Sequence, residues 1–328
     1  MNERAAKPTV LLAGATGYIG RHVASRLAET GWHVLAVTRP GRGVGDPLLR
    51  DCERLEAEVT EPANLALALE GRTVDGVISC LASRSGVPED AWRIEHDANL
   101  NVLLAAERSG ARRFVLLSAI CVQKPLLAFQ HAKLAFEAQL MQSGMDWSIV
   151  RPTAFFKSLS GQLERVRAGK PFLVFGDGTL TACKPISERD LAAYLVDCLE
   201  REARHGRVLP IGGPGPELTP RAQGELLFSA LGREPAFREV PPALLAGAAK
   251  VLAVPGRFLP GLAAKAELAR IGHYYATESM LLWDEDARAY DAQRTPETGK
   301  DTLEAFYQRA ALTGLEDQAL GDHRLFGE

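Results

Sequence analysis

Gly14-Ala-Thr-Gly17-Tyr-Ile-Gly20 lies between a short apolar run, Thr9 to Ala13 (TVLLA), and a stretch with apolar residues at helical spacing. No other feature constrains the chain as much. Gly14 permits a tight turn, Gly17 lets backbone approach a pyrophosphate, and Gly20 lets the helix pack on the strand. The helix opened by Tyr18 and Ile19 then points its N-terminal amides at phosphate charge. A glycine triplet alone is a weak signal, because glycines punctuate many loops. Here position, order and flanking strand all agree, so Gly14, Thr16, Gly17, Tyr18, Ile19 and Gly20 are predicted to hold a dinucleotide.

Strand and helix patterns alternate after that turn. Continuous apolar runs, as expected of strands buried on both faces, occur at His33 to Thr38, Val74 to Ser79, Phe114 to Ser118 and Trp147 to Val150. Leu55 to Val59 is a weaker strand, followed by a helix opened at Pro62. A long helix is predicted from about Glu89 to Arg108, and another from Ala128 to Gln142. Six strands with helical crossovers predict an α/β fold, a doubly wound parallel sheet, with a nucleotide-binding domain over residues 1–152. Residues 153–328 read as a smaller, mostly helical, interleaved substrate part. Within it, Phe172 to Thr181 suggests a hairpin around Gly176-Asp177-Gly178, Ser187 an N-cap, and Thr219-Pro220 a helix start.

Composition narrows the function classes. A 46% hydrophobic content supports a packed core, which excludes intrinsic disorder. A net charge of −3 argues against nucleic acid as partner, since that demands a basic face. The five cysteines form no Cys-x-x-Cys pair and the seven histidines are scattered, so no metal site is predicted. No apolar run reaches the ~18 residues of a membrane span. The first strand begins within ten residues of Met1, so no leader is predicted and the expected location is cytoplasmic.

The second strand ends in Thr38-Arg39-Pro40, with Arg42 close behind. A site for NAD would carry an acidic residue there to bind the ribose 2′-hydroxyl, whereas an arginine meets a 2′-phosphate, so NADPH is the predicted cofactor. Glu58, ending the third strand, is either an adenine-side contact or a solvent-facing edge residue.

The glycine turn is similar to that of the extended and atypical short-chain dehydrogenase/reductases. Longer strings carry a narrower resemblance. They include Ser79-Cys-Leu-Ala-Ser-Arg84, Phe114 to Pro125 (FVLLSAICVQKP), Phe129 to Glu137 (FQHAKLAFE), Ser148 to Gly161 (SIVRPTAFFKSLSG), Phe175 to Ser187 (FGDGTLTACKPIS) and Tyr274 to Met280 (YYATESM). Together they resemble the divinyl chlorophyllide 8-vinyl-reductase family, in order and without large gaps from about Pro8 to about Tyr307. That resemblance implies an NADPH-dependent oxidoreductase of (bacterio)chlorophyll synthesis. It would reduce the 8-vinyl group of a divinyl (proto)chlorophyllide, a magnesium tetrapyrrole, to ethyl. It implies no obligate protein partner, and a peripheral contact with the photosynthetic membrane where such a pigment partitions.

One departure bears on the chemistry. Short-chain dehydrogenases generally carry Tyr-x-x-x-Lys with a serine, the tyrosine protonating a carbonyl oxygen. Here the segment reads Phe129-Gln-His-Ala-Lys133, and phenylalanine donates no proton. Reduction of a carbon–carbon double bond needs no oxyanion acid, so the departure suits a vinyl reductase. It equally suits an accessory subunit or redox sensor that binds NADPH without turnover, and reduction of another conjugated alkene stays open. Lys133 is expected on the nicotinamide ribose, with Ser118 at the end of the fifth strand as its catalytic companion. His131 is a candidate for the substrate's magnesium or a proton, and Cys121 a second candidate proton donor. Phe155, Phe156, Tyr274 and Tyr275 are candidates to stack on the flat macrocycle. Lys157 and Arg84 are candidates for its propionate carboxylate.

Overall fold

Thr9–Ala13 forms strand β1, whose residues beyond Thr9 are all buried, as its unbroken apolar run requires. The structure, a computed structural model, describes residues 7–314 apart from 84, 86, 257 and 258. The strands that follow are β2 (His33–Thr38), β3 (Glu53–Glu56), β4 (Gly76–Ser79), β5 (Arg113–Leu117), β6 (Asp146–Pro152), β7 (Phe172–Phe175), β8 (Arg207–Ile211) and β9 (Phe237–Val240). Seven of them make one sheet in the order β3-β2-β1-β4-β5-β6-β8, and every pairing in it is parallel.

The order reverses between β1 and β4, so a crevice opens at the carboxyl ends of those two strands, where ligands of such sheets bind. Successive residues of β1 face opposite layers. Val10 and Leu12 pack with Val23 and Leu27 of the helix Tyr18–Glu29 and with Leu195 and Leu199 of the helix Glu188–Glu200. Leu11 and Ala13 pack on the other side, with Val102 of Asn99–Arg108 and with Phe136 and Leu140 of Ala128–Gln142. Each fully buried leucine here contributes roughly 1.5–3 kcal/mol.

The chain differs from its sequence reading at identifiable places. The sheet has seven strands instead of six: β8 comes from beyond Pro152 and pairs with β6, so the sheet itself runs across the division expected at residue 152. The weak third strand is Glu53–Glu56 instead of Leu55–Val59, because register with β2 ends at the Thr38–Glu56 pair. Phe172 to Thr181 is not a hairpin. Gly176 and Gly178 do take positive φ (59° and 84°), but β7 pairs in parallel with β9 and the chain beyond the turn moves on. There Cys183 bridges to Leu218 and Met280. Ser187 and Thr219 cap their helices as expected, accepting from Asp190 N–H at 3.0 Å and Ala222 N–H at 3.2 Å.

The tail comprises the helices Ala243–Gly256 and Pro260–Thr277, a small antiparallel pair (β10, Leu282–Asp284; β11, Ala289–Asp291) and the helix Leu303–Thr313. It is tied to the segment after β5. Lys124 Nζ donates to Glu278 at 2.6 Å, Gln123 Nε2 donates to Leu281 O, and Trp283 N–H donates to Gln123 Oε1 at 2.8 Å. Among the described residues no helix is long and apolar enough to cross a membrane.

Candidate active site at the carboxyl end of the sheet

The glycine turn closes as the spacing predicts. Gly17 N–H donates to Gly14 O at 2.9 Å, and Gly14 has φ +77°, a conformation that favours glycine. A Cβ on Gly14 would stand 2.7 Å from the Cys80 carbonyl, and one on Gly20 would stand 2.1 Å from Gly14 O. The turn therefore lies against the end of β4. Gly17 is the N-cap of the following helix, no side chain caps it, and the first turn carries no acidic residue. This donor set fits a diphosphate: backbone amides with the helix dipole behind them and no competing carboxylate.

Contacts from distant parts of the chain hold Tyr18 in place. Its hydroxyl donates to Glu188 Oε2 at 2.6 Å, Lys157 Nζ stands 4.9 Å from its ring centroid, and Phe155 packs at 6.5 Å. Burial first, then the Glu188 charge, pushes its phenol well above the ordinary value, so it stays protonated. Arg39 is exposed, with no side-chain partner among the described residues. Glu58 lies just past β3, half-buried, and accepts from Thr60 Oγ1 at 3.2 Å.

A buried polar cluster is built around Lys133. Its Nζ donates to Glu95 Oε2 at 2.7 Å, and Glu95 Oε1 accepts the Ser83 backbone N–H at 2.9 Å. Both partners are buried, at 8% and 3% exposure, so each depends on the other for charge compensation. Glu95 has no signature as a lone residue. Its signal is the stripe it shares with Asn99, Val102 and Ala106, a spacing that puts an acid on the buried face of a helix. The helix there widens to the π form over Trp92–Ala98, a defect that recurs at functional sites. Asn99 supports it: its Nδ2 donates to Glu95 O at 3.0 Å and its Oδ1 accepts from Ser79 Oγ, at the end of β4.

Ser118 is buried at the end of β5, but its hydroxyl donates to Glu137, not toward Lys133. Glu137 is in turn gripped by the Arg151 guanidinium through both carboxylate oxygens. The serine thus belongs to a neighbouring buried network that fixes the helix Ala128–Gln142 on β5 and β6. Burial pushes the Cys80 thiol up to about 12 and raises that of Cys121, with the Lys133 charge opposing the shift in both. Both thiols are protonated at neutral pH.

Several candidates are not brought to this place. His131 is exposed, since two positions along a helix turn it away from Lys133. Phe156 is 1% exposed in a cluster with Phe306 at 5.5 Å, so its ring has no free face for a macrocycle. Tyr274 is buried too, its hydroxyl donating to Cys121 O at 2.9 Å. Tyr275 alone of the tail pair keeps an exposed flank, at 39%. Arg84 lies outside the described residues.

A family model described as NAD(P)H-binding matches residues 14–202. The divinyl chlorophyllide a 8-vinyl-reductase of Zea mays is 49% identical, over 98% of this chain and 84% of its own length; that of Arabidopsis thaliana is 48% identical, over 95% and 79%. The chain belongs to the divinyl chlorophyllide a 8-vinyl-reductase family. Solved structures show the shared fold. The Escherichia coli NADPH-dependent quinone oxidoreductase superposes at a TM-score of 0.65 with 19% identity, over 92% of this chain and 99% of that one. Vitis vinifera leucoanthocyanidin reductase superposes at 0.67 with 14% identity, over 93% and 100%. In this vinyl-reductase chain Phe129 packs against the cluster that holds Cys121 and Tyr274.

Proposed function

We infer that this chain reduces the 8-vinyl group of a 3,8-divinyl chlorophyllide or protochlorophyllide to ethyl. Its family likeness along nearly the whole chain is the observation that carries this reading. NADPH supplies the hydride. Gly14, Gly17 and the first turn of Tyr18–Glu29 hold its diphosphate, and Arg39 its 2′-phosphate. Lys133, oriented by Glu95, would take the nicotinamide ribose hydroxyls of the bound cofactor, which would supply hydride to the vinyl group. The macrocycle delocalises the charge left by hydride addition, which is why no oxyanion acid is needed at Phe129. Incubation with NADPH and divinyl chlorophyllide a should move the Soret band to the blue. An unchanged spectrum with stoichiometric protein would rule the activity out.

Cofactor choice rests on Arg39. A charge-assisted hydrogen bond to the 2′-phosphate is worth about 1.5–3 kcal/mol. Arg39→Ala should therefore raise the KM for NADPH at least roughly tenfold and leave that for NADH nearly unchanged. Equal loss with both cofactors would refute the assignment.

The tail helix Ala243–Gly256 exposes Leu244, Val251 and Val254, and Leu259 stands exposed just beyond it. These side chains suit shallow contact with the lipid surface where the pigment partitions. Replacing Val251 and Val254 by Ser should lower cosedimentation with galactolipid vesicles severalfold, while equal sedimentation would exclude this helix as the contact.

A further inference from the structure

The glycine turn has few side chains of its own to hold it, since three of the seven residues from Gly14 to Gly20 are glycine. Glycine loses more backbone freedom on folding than any other residue, so the turn depends on what neighbouring elements supply. Tyr18, the first residue of the helix Tyr18–Glu29, is where they reach it. Its hydroxyl donates to Glu188 Oε2 at 2.6 Å, across 170 positions of sequence. We propose that Glu188 is a positioning residue for NADPH: by holding Tyr18 it sets the first-turn amides of Tyr18–Glu29 against the diphosphate.

Glu188 is itself firmly placed. It opens the helix Glu188–Glu200, whose dipole favours a carboxylate in the first turn. The N-cap before it, Ser187, accepts from Asp190 N–H at 3.0 Å and donates to Asp301 Oδ2 at 2.9 Å. The residue before that, Ile186, is fastened to the chain just beyond β6. Its N–H donates to Ala154 O at 2.9 Å, and Phe156 N–H donates to Ile186 O at 3.3 Å. From this second segment come Lys157, with Nζ 4.9 Å from the Tyr18 ring centroid, and the Phe155 ring at 6.5 Å. Two segments hydrogen-bonded to each other therefore box in the Tyr18 side chain.

Helix packing alone does not supply this precision. The apolar cluster that joins the two helices, with Val23, Leu27, Leu195 and Leu199, is held by contacts that have no preferred direction. A hydroxyl donating to a carboxylate fixes both a distance and an angle, at the end of the helix that meets the cofactor. Burial and the Glu188 charge keep the phenol protonated, so the donor is always present. Tyr18 spends that proton on Glu188, which makes it a strut and not an acid for the reaction.

The proposal rests on the reading of the glycine turn as the NADPH site, and titration followed by nicotinamide fluorescence tests the two separately. Wild-type protein that binds no NADPH overturns that reading, and the proposal with it. Given wild-type binding, Glu188→Ala should raise the Kd for NADPH roughly tenfold, the effect of one lost charge-assisted hydrogen bond. Tyr18→Phe removes only the hydroxyl and should raise the Kd by the same factor, which keeps the test open even if Glu188→Ala folds poorly. Together the two substitutions should cost no more than either alone, since both break one bond. Glu188→Gln keeps an oxygen that accepts from the hydroxyl and should return the Kd to within about threefold of wild type. In turnover with divinyl chlorophyllide a, Glu188→Ala should raise the KM for NADPH and leave kcat at saturating NADPH within about threefold. A residue that only stabilises the fold would lower the melting temperature of Glu188→Ala and leave the Kd of the folded protein unchanged. That pattern overturns the proposal. So do additive losses in the double variant, a Glu188→Gln protein that binds as weakly as Glu188→Ala, or a fall in kcat at unchanged KM.

Discussion

Lys133→Ala should cut turnover by about 100-fold or more and destabilise the fold at the same time. The two effects have different origins. On the proposed role, turnover falls because the cofactor's ribose would lose its ammonium partner and the nicotinamide its fixed position; small displacements of that kind cost about 10²-fold. Stability falls because Glu95, 3% exposed, loses its counter-ion. Breaking a buried pair in this way costs about 3–5 kcal/mol. A second substitution separates the effects. Lys133→Ala with Glu95→Gln removes the stranded charge, so the melting temperature should recover most of its loss while turnover does not. Thermal unfolding followed by circular dichroism, beside a steady-state assay, reads both. A Lys133→Ala enzyme within a few-fold of wild-type kcat would sink the site.

Gly20→Ala should be nearly as damaging for binding. The added methyl would stand 2.1 Å from Gly14 O and 2.8 Å from Gly14 C, both backbone atoms with no freedom to swing away. Either the helix Tyr18–Glu29 lifts from β1 or the Gly14 carbonyl moves, and both misplace the amides meant for the diphosphate. Overpacking of this kind costs about 1–3 kcal/mol in stability. NADPH affinity should fall at least roughly 100-fold, since several hydrogen bonds to charged oxygens are lost together. Gly144→Ala is the control: a Cβ there meets nothing within 4 Å, and NADPH should bind as in wild type. A Gly20→Ala protein binding NADPH within threefold of wild type would show that the turn does not carry the diphosphate.

The features legible in the sequence are those fixed by near neighbours in the chain. β1 and β2 appear with their boundaries, Thr9–Ala13 and His33–Thr38, because a strand buried on both faces must be apolar along its length. The glycine turn and the caps at Ser187 and Thr219 are local in the same sense. Lys133 is legible through its spacing from Phe129. Its partner Glu95 is not, because that pair joins residues 38 apart, and only the tertiary fold says which acid faces which lysine. The parallel pairing of β7 with β9 and of β6 with β8 escaped for that reason too. The aromatic candidates divide on burial, which no single letter reveals: Phe156 fills a core, while Tyr275 keeps 39% of its surface exposed.

The strand β8 also bears on how the chain emerges during synthesis. β6 ends at Pro152, while its outer partner β8 ends at Ile211, about sixty residues later. Translation at roughly 5–20 residues per second leaves several seconds in which β6 has its inner neighbour and no outer one. Such a bare ribbon of amides and carbonyls invites pairing with a second nascent chain. The helix Glu188–Glu200 leaves the ribosome shortly before β8 and packs on the same layer as Tyr18–Glu29. Its docking brings the following residues to the open edge, so the order of elements along the messenger helps decide whether this sheet closes on itself or on a neighbour.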